Sequence, residues 1–447
     1  MASSALNKPT IPFSEPPYLS GLPSPYYNDS HYAWQKTCRE FISAEFSEAL
    51  AWEANGSVPS TLFKNFAKGN MLIPALPFPL PIKQLKEAGI HELPGGLKLE
   101  DFDAFHRLIY GDEMLRVGLG GVPAAITTGI NFAIPPIYGY GSPALQKKWL
   151  GPLFRGEITS CLAITEPDTG SDVANITTTA KKSSCGKFYI VTGQKKWITN
   201  GIWAEYATMA VRTGGHGPTG LSLLWVPLTE NDGKGLERRR IYISGGSTSG
   251  TAFLDLDEVK VPVENLIGEE GMGMRYIMNN FNAERLSVAI GATRTARVAL
   301  SSAVEYVMKR EAFGKPLIDQ PVVRHRLAKA GVMLESQWAW IEQVMYQIGK
   351  LGKKAGDREL GGVTAMVKAN SGIVLNECAQ CAVLLFGGKG LTKGGEGETV
   401  EHILREVVVT RIPGGAEDVL LDLGVRQLVK IFKTKTAELE ATRGSKL

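Results

Sequence analysis

Cysteine, paired histidine, net charge and long apolar runs are all scarce in this chain of 447 residues. Each shortage removes a class of protein. The five cysteines, Cys38, Cys161, Cys185, Cys378 and Cys381, are odd in number and widely spread, so no disulfide framework is expected and a reducing compartment fits best. Cys378-Ala-Gln-Cys381 has redox or metal spacing, but it lies in a long apolar helical pattern and reads as two small buried helix residues. The six histidines show no HExxH or other paired ligand spacing, so no metal is expected. A net charge of +4, with no Lys/Arg stripe, argues against nucleic acid as a partner. No uninterrupted apolar run approaches the length of a membrane span. The nearest, Met71 to Ile82, is broken by Pro74, Pro77, Pro79 and Pro81, so a soluble protein with no membrane span is expected. The Ser- and Pro-rich start, Met1 to Tyr27, lacks the charged and apolar regions of a signal peptide and is expected to form a flexible segment over residues 1–30.

Composition is otherwise ordinary for a globular protein, 44% hydrophobic and 21% charged, with length for two or three domains. Residues 31–159 repeat apolar positions at three and four, as in Ala33 to Phe46 and Leu99 to Gly118, with Pro74 to Pro81 a linker between helices. Gly118-Leu119-Gly120-Gly121 lacks the third glycine of a dinucleotide fingerprint and is flanked by helical patterns. Over residues 160–270 the period shifts to two. Lys187 to Thr192 reads as a strand leading through Gly193 into a second strand, and Tyr206 to Val211, Leu221 to Val226 and Thr251 to Leu256 are further short strands. Residues 271–440 are helical again, over about Met274 to Arg310, Val322 to Gly349, Gly361 to Phe386 and Glu417 to Lys433. The expected fold is mainly α with a central β domain: an N-terminal helical domain, a small β-barrel or sandwich, and a C-terminal four-helix bundle. Residues 441–447 are expected to form a tail ending Ser445-Lys446-Leu447, which matches a peroxisomal address read by an import receptor, so a peroxisomal location is expected.

Two motifs carry chemistry. The first, LAITEPDTGSDVAN (Leu162 to Asn175), clusters hydroxyls and backbone N–H groups at Thr165, Thr169, Gly170 and Ser171, where Gly170 lets a phosphate or a pyrimidine edge approach the main chain. The second, GQKKWITNG (Gly193 to Gly201), offers Trp197 as a flat apolar wall and Thr199 as a polar handle two residues on, on the same strand face. In that order, with the flanking sequence, they resemble the acyl-CoA dehydrogenase family, from about Leu99 to Lys430. The resemblance implies FAD held by Thr165, Gly170, Ser171, Trp197 and Thr199. Lys309 to Pro316 resembles the family's RxxFGKP segment, which implies that Arg310 and Phe313 reach the FAD of a neighbouring subunit and hence a homodimer or homotetramer. Phe386-Gly387-Gly388 resembles a turn lying against a neighbour's cofactor. The family often has Gln two residues before that Phe where this chain has Leu384, with Gln380 one turn earlier as a substitute.

The largest departure comes at Ile412 to Glu417, where many members read Y-E-G-T with the Glu as catalytic base and this chain has Gly414. The Gly414 N–H can still bind a thioester carbonyl, since that contact needs no side chain. Glu284 is the expected base. Its helical face carries Ile277, Phe281, Val288 and Gly291, and a carboxylate on an apolar stripe is desolvated towards a working pKa. Ala283-Glu284-Arg285-Leu286 is also similar to the segment on which isovaleryl-CoA and long-chain acyl-CoA dehydrogenases carry their base, with Arg285 on the substrate side. A buried structural pair of Glu284 with Asn280 or an arginine is the plainer alternative, and Glu401, Glu417 and Asp418 are the next candidates. The function implied is FAD-dependent α,β-dehydrogenation of an acyl-CoA, with an electron-transfer flavoprotein or oxygen as acceptor. A flavoenzyme on a substrate such as a nitroalkane, whose relatives have an Asp near the missing Glu, and a catalytically inactive scaffold are the rivals.

Overall fold

Two reciprocal capping boxes start the first long helices. In the computed structural model, which describes residues 10–228 and 235–444, the Asn28 side chain accepts the Ser30 and His31 N–H groups at the head of α1 (Asp29–Glu45), and His31 Nδ1 accepts the Asn28 N–H at 3.0 Å. Asp103 and His106 repeat the arrangement at the head of α2 (Ala104–Met114). The boxes also bond each other, His31 Nε2 to Asp103 at 3.0 Å and Ser30 Oγ to His106 Nε2 at 3.0 Å. This accounts for the one place in the N-terminal helices where two histidines and an aspartate converge: their polar atoms serve caps. The Ser445-Lys446-Leu447 tail lies outside the described residues.

The chain forms two compact units, Asn28–Glu284 and a second made of the N-terminal residues up to Tyr27 together with Arg285–Leu447. Within the first unit, the alternating region is one hydrogen-bonded network of eight strands. In chain order these are β1 (Ser160–Ala163), β2 (Thr179–Lys182), β3 (Phe188–Ile198), β4 (Tyr206–Arg212), β5 (Leu221–Pro227), β6 (Leu236–Arg240), β7 (Ala252–Pro262) and β8 (Leu266–Ile267). Their spatial order is β8-β5-β4-β2-β3-β7-β6, with β1 parallel to β4. β4 and β5 are buried almost throughout, and helix Pro143–Phe154 lays Trp149 against the stacked Tyr206 and Trp225 rings, which are 5.1 Å apart.

The expected pair of strands around Gly193 is a single strand, β3. Gly193 sits at a bulge with φ 148°, where a Cβ would come within 2.6 Å of Thr178, so the residue allows close backbone approach without ending the strand. A second register shift lies between Lys195 and Ile198. It puts Trp197 at φ 60° and turns its ring outward, 47% exposed, while Ile198 faces the core. Thr199 therefore falls in the turn beyond the strand and does not share a strand face with Trp197, contrary to the even spacing.

In the second unit the long helices are α3 (Gly273–Lys309, which starts in the first unit), α4 (Pro321–Phe386), α5 (Glu398–Arg411) and α6 (Glu417–Gly444). α4 is interrupted only at Gly352 (φ 69°), so the expected gap from Gly349 to Gly361 is a one-residue kink. α5 was missed from the sequence, and it fills the fourth place in the bundle: Val400, Ile403 and Val407 join the core formed by α3 and both limbs of α4. α6, expected in that place, contributes Leu420 to a separate small cluster with Ala365 and Ala369. The stretch Ala355–Leu391 is, against expectation, long and apolar enough by length and composition to cross a membrane, with 56% of its apolar window buried. Small residues packed between helices, Cys378, Ala379 and Ala382 among them, explain that composition. Cys378 and Cys381 are core residues whose thiols burial pushes up, Cys381 to about 11.

The N-terminal arm, expected to be flexible, is packed from Ile11 onward. Arg294 and Arg297 donate to the Ser14, Phe13 and Glu15 carbonyls, Phe13 lies against Gly331, and Tyr18 stacks between Tyr27 and Trp338. Serine and proline content signals weak local structure but says nothing of two arginines waiting on a helix.

Candidate active site

The turn of the first motif is built around a buried carboxylate. Glu166 and Thr169 exchange backbone hydrogen bonds, closing a turn over Pro167 and Asp168. The Glu166 side chain accepts from Thr177 N (2.6 Å), Thr177 Oγ1 (2.8 Å), Thr178 N (3.0 Å) and Lys195 Nζ (2.8 Å). Lys195 is wholly buried and also donates to the Ile164 carbonyl at 3.0 Å. Burial pushes the Glu166 carboxyl up, but Lys195 and the donated hydrogen bonds outweigh it and hold the group at about 2. The Lys195 ammonium is drawn down by burial to about 8, an effect that Glu166 partly opposes.

This pair ties the two motifs together. Lys196 N donates to Thr165 O at 3.0 Å and Thr165 Oγ1 returns a bond to Lys196 O at 2.6 Å, so Thr165 is fixed beside Trp197. The Thr165 proton is thus used within the chain, and its hydroxyl is left as an acceptor. Gly170 and Ser171 are exposed, and a Cβ on Gly170 would meet no atom within 4 Å. The chain's own packing does not require that glycine, which fits a ligand approaching the main chain.

Trp197 gives the sharpest test of whether a flavin belongs here. A bulky residue with φ 60° costs about 1–2 kcal/mol, and leaving its ring half in solvent forgoes the burial that would offset it. Strain of this kind persists where a site uses it. The half-exposed indole stands next in sequence to the Lys196–Thr165 pairing with Lys196 Nζ 4.7 Å from its ring centre, and the turn of the first motif carries the exposed Gly170 and Ser171, a flat surface and a polar turn of the kind an aromatic ring system with a phosphate needs. The residues of this turn and strand fit the FAD that the resemblance implies, whereas Thr199, in the turn beyond the strand, is not brought to the Trp197 face.

In the same unit Glu284 is buried, 5% exposed, and its Oε1 accepts from Asn280 Nδ2 at 2.5 Å. Asn280 also donates to the Phe132 carbonyl at 3.1 Å, so the carboxylate is held by an amide that is itself anchored. The contact with Asn280 weighed from the sequence is present.

In the helical unit, Arg285 Nε donates to Gly414 O at 3.2 Å, which ties this arginine to the turn where the sequence departs. Gly414 has φ 70°, a conformation L side chains rarely adopt. Of the alternative bases, Glu401 pairs with Arg405 at 2.8 Å and Glu417 with Arg411 at 2.7 Å, so both are engaged in ion pairs. Arg310 follows the last residue of α3, and Phe313 three residues on is 93% exposed with φ 55°. Gly387 (φ 62°) and Gly388 would meet nothing within 4 Å if given a Cβ, while Leu384 is exposed and Gln380 bonds Asn376 at 3.1 Å. These residues share an outward-facing apolar and glycine-rich character that internal packing leaves unexplained.

Three sequence models cover nearly all of the chain: acyl-CoA dehydrogenase N-terminal domain over residues 28–157, middle domain over 161–259 and C-terminal domain over 271–429. The chain belongs to the acyl-CoA dehydrogenase family. It is 59% identical over 435 residues to acyl-CoA dehydrogenase apdG of Emericella nidulans, covering 97% of this chain and 99% of that one. It is 38% identical to acyl-CoA dehydrogenase AFT10-1 of Alternaria alternata, covering 94% and 96%. A crystal structure of an acyl-CoA dehydrogenase from Geobacillus kaustophilus superposes with a TM-score of 0.78 at 28% identity, covering 91% of this chain and 100% of that one. The family is FAD-dependent, and this member is a flavoprotein oxidoreductase carrying out an acyl-CoA type of dehydrogenation.

Sequence reasoning missed Lys195 and Lys368, one buried lysine in each unit, each bonded to a turn of its own unit. Both signals were legible. Lys195 continues the inward set Tyr189 and Val191 of β3, and Lys368 has Thr364, Ser371, Gly372 and Leu375 on its helical face, all buried.

Proposed function

We propose that this enzyme introduces an α,β double bond into an acyl-CoA thioester with Glu284 as the base that takes the α-proton. The observation that carries the assignment is the burial of Glu284 under the hydrogen bond from Asn280, in a chain whose usual base position is a glycine of positive φ. A carboxylate held in one orientation inside the protein is the kind of group that takes a proton from carbon as a general base. The Gly414 N–H serves the thioester carbonyl, where it stabilises negative charge developing on oxygen as the α-proton leaves. Bound FAD supplies the acceptor for the hydride that departs from the β-carbon. Trp197 orients the flavin ring, and Thr165, Gly170, Ser171 and Thr199 hold its polar edge and phosphate. Arg310, Phe313, Gln380, Gly387 and Gly388 serve the cofactor of a neighbouring copy, so the working enzyme is a homodimer or homotetramer.

The test is anaerobic mixing of the FAD-loaded enzyme with a panel of saturated acyl-CoAs of different length and branching, followed by flavin absorbance. Bleaching by one or more acyl-CoAs is expected. Bleaching by nitroalkanes alone would move the enzyme to another chemistry, and no bleaching by either would make the chain a binding scaffold. Reoxidation of the bleached enzyme by oxygen or by an electron-transfer flavoprotein then identifies the acceptor.

A further inference from the structure

We infer that Lys368 is a positioning residue for the thioester carbonyl, holding in place the turn that presents the Gly414 amide. The inference rests on the role of Gly414 given above and concerns what fixes that amide in space.

Lys368 lies on α4 and is 1% exposed. A lysine so buried is normally matched to a carboxylate. Here no carboxylate among the described residues pairs with it: Nζ donates to Gly415 O at 2.7 Å and to Arg411 O at 3.2 Å. The two acceptors lie on either side of Gly414, so one ammonium clamps both limbs of the turn. Glu417, the nearest acid along the chain, is engaged by Arg411 through two bonds of 2.7 and 2.8 Å. Burial draws the Lys368 ammonium down to about 8 and Arg285 acts in the same direction, while the charge of Glu417, which makes no direct bond to it, acts the other way. Packing alone gives no reason to keep a charge at this cost, since a methionine would fill the same channel.

The turn explains the clamp. Gly414 and Gly415 have φ 70° and 110°, and a Cβ on Gly415 would come within 2.6 Å of Leu420. This is a turn that works through its backbone, and two successive glycines are the loosest backbone a chain can have. Arg285 takes the Gly414 carbonyl at 3.2 Å and Lys368 takes the Gly415 carbonyl. Because each peptide is planar, those fixed oxygens hold the N–H groups of Gly415 and Ala416, while the Gly414 N–H belongs to the Pro413 peptide and is confined by the anchored stretches on either side of it. The Arg411 bond anchors the entry to the turn and the Gly415 bond its exit, so the Gly414 amide between them is aimed without any contact of its own from Lys368.

The experiment compares two ligands on the FAD-loaded enzyme: a trans-2-enoyl-CoA, whose thioester carbonyl the amide would bind, and an S-alkyl-CoA thioether of equal chain length, which has no carbonyl oxygen. Lys368→Met should weaken enoyl-CoA binding about tenfold, the value of one well-made hydrogen bond, and change thioether binding less than twofold. Lys368→Arg, which keeps donors for the two carbonyls, should recover part of the discrimination and stands in if the methionine variant does not fold. Equal weakening of both ligands, or weakening of neither, would overturn the inference. If the wild-type enzyme itself fails to prefer the thioester, the role of the Gly414 amide fails first, and the inference falls with it.

Discussion

Replacing Lys195 with methionine should destabilise the first unit by about 3 kcal/mol and loosen FAD. The magnitude follows from what the substitution leaves behind. Lys195 is wholly buried at 2.8 Å from Glu166, and methionine fills most of its volume while removing the charge. Breaking a buried ion pair from one side costs about 3–5 kcal/mol because the surviving charge is stranded. Glu166 keeps three donors, Thr177 N, Thr177 Oγ1 and Thr178 N, which places the cost at the lower end. For a unit of this size that is a fall in Tm of roughly 6–12 °C. The same carboxylate organises the turn leading to Gly170 and Ser171, so FAD affinity should fall together with stability. Calorimetry of the apo and loaded forms, with FAD binding followed by flavin fluorescence, measures both. The double variant Glu166→Gln/Lys195→Met strands no charge and should recover most of the loss. A single variant within about 0.5 kcal/mol of wild type, or a double variant less stable than the single, would refute the reasoning.

Acid should act on the same carboxylate. Glu166 is held at about 2, below its ordinary 4.5, so its stabilisation is complete above the ordinary value and is lost as pH falls towards the depressed one, a change of about 3 kcal/mol. Glu166→Gln should flatten that part of the stability curve, and an unchanged acid limb would contradict the assignment. For localisation, a reporter fused ahead of the last ten residues should become punctate with peroxisomal markers and turn diffuse when Leu447 is removed; a reporter that stays cytosolic with the tail intact would dismiss Ser445-Lys446-Leu447 as an address.

Periodicity made most of the fold readable in advance, because it is local in sequence. Glu284 was found as an acid on an apolar helical face, and it is buried. What escaped was set by geometry that periodicity does not encode. One extra residue in β3 turned Trp197 outward and moved Thr199 off the strand. The fourth bundle helix went unseen because α5 carries charged residues, including Glu401, Arg405 and Glu406, among its apolar ones, while α6 shows a more continuous apolar pattern. Lys195 and Lys368 were not singled out in the sequence. Their inward register was visible, but their partners, a carboxylate 29 residues away and carbonyls 43 and 47 residues away, are joined to them only by the fold.

The base assignment is tested most directly by Glu284→Gln, which keeps size and the bond from Asn280 but cannot accept the α-proton. The variant should bind FAD and acyl-CoA as the wild type does. In anaerobic stopped-flow mixing with a saturated acyl-CoA that bleaches the wild-type flavin, its reduction rate should fall by roughly 10²–10⁴-fold, the usual contribution of a positioned general base. Reduction at close to the wild-type rate, with both ligands bound, would contradict the account and place the base on another residue.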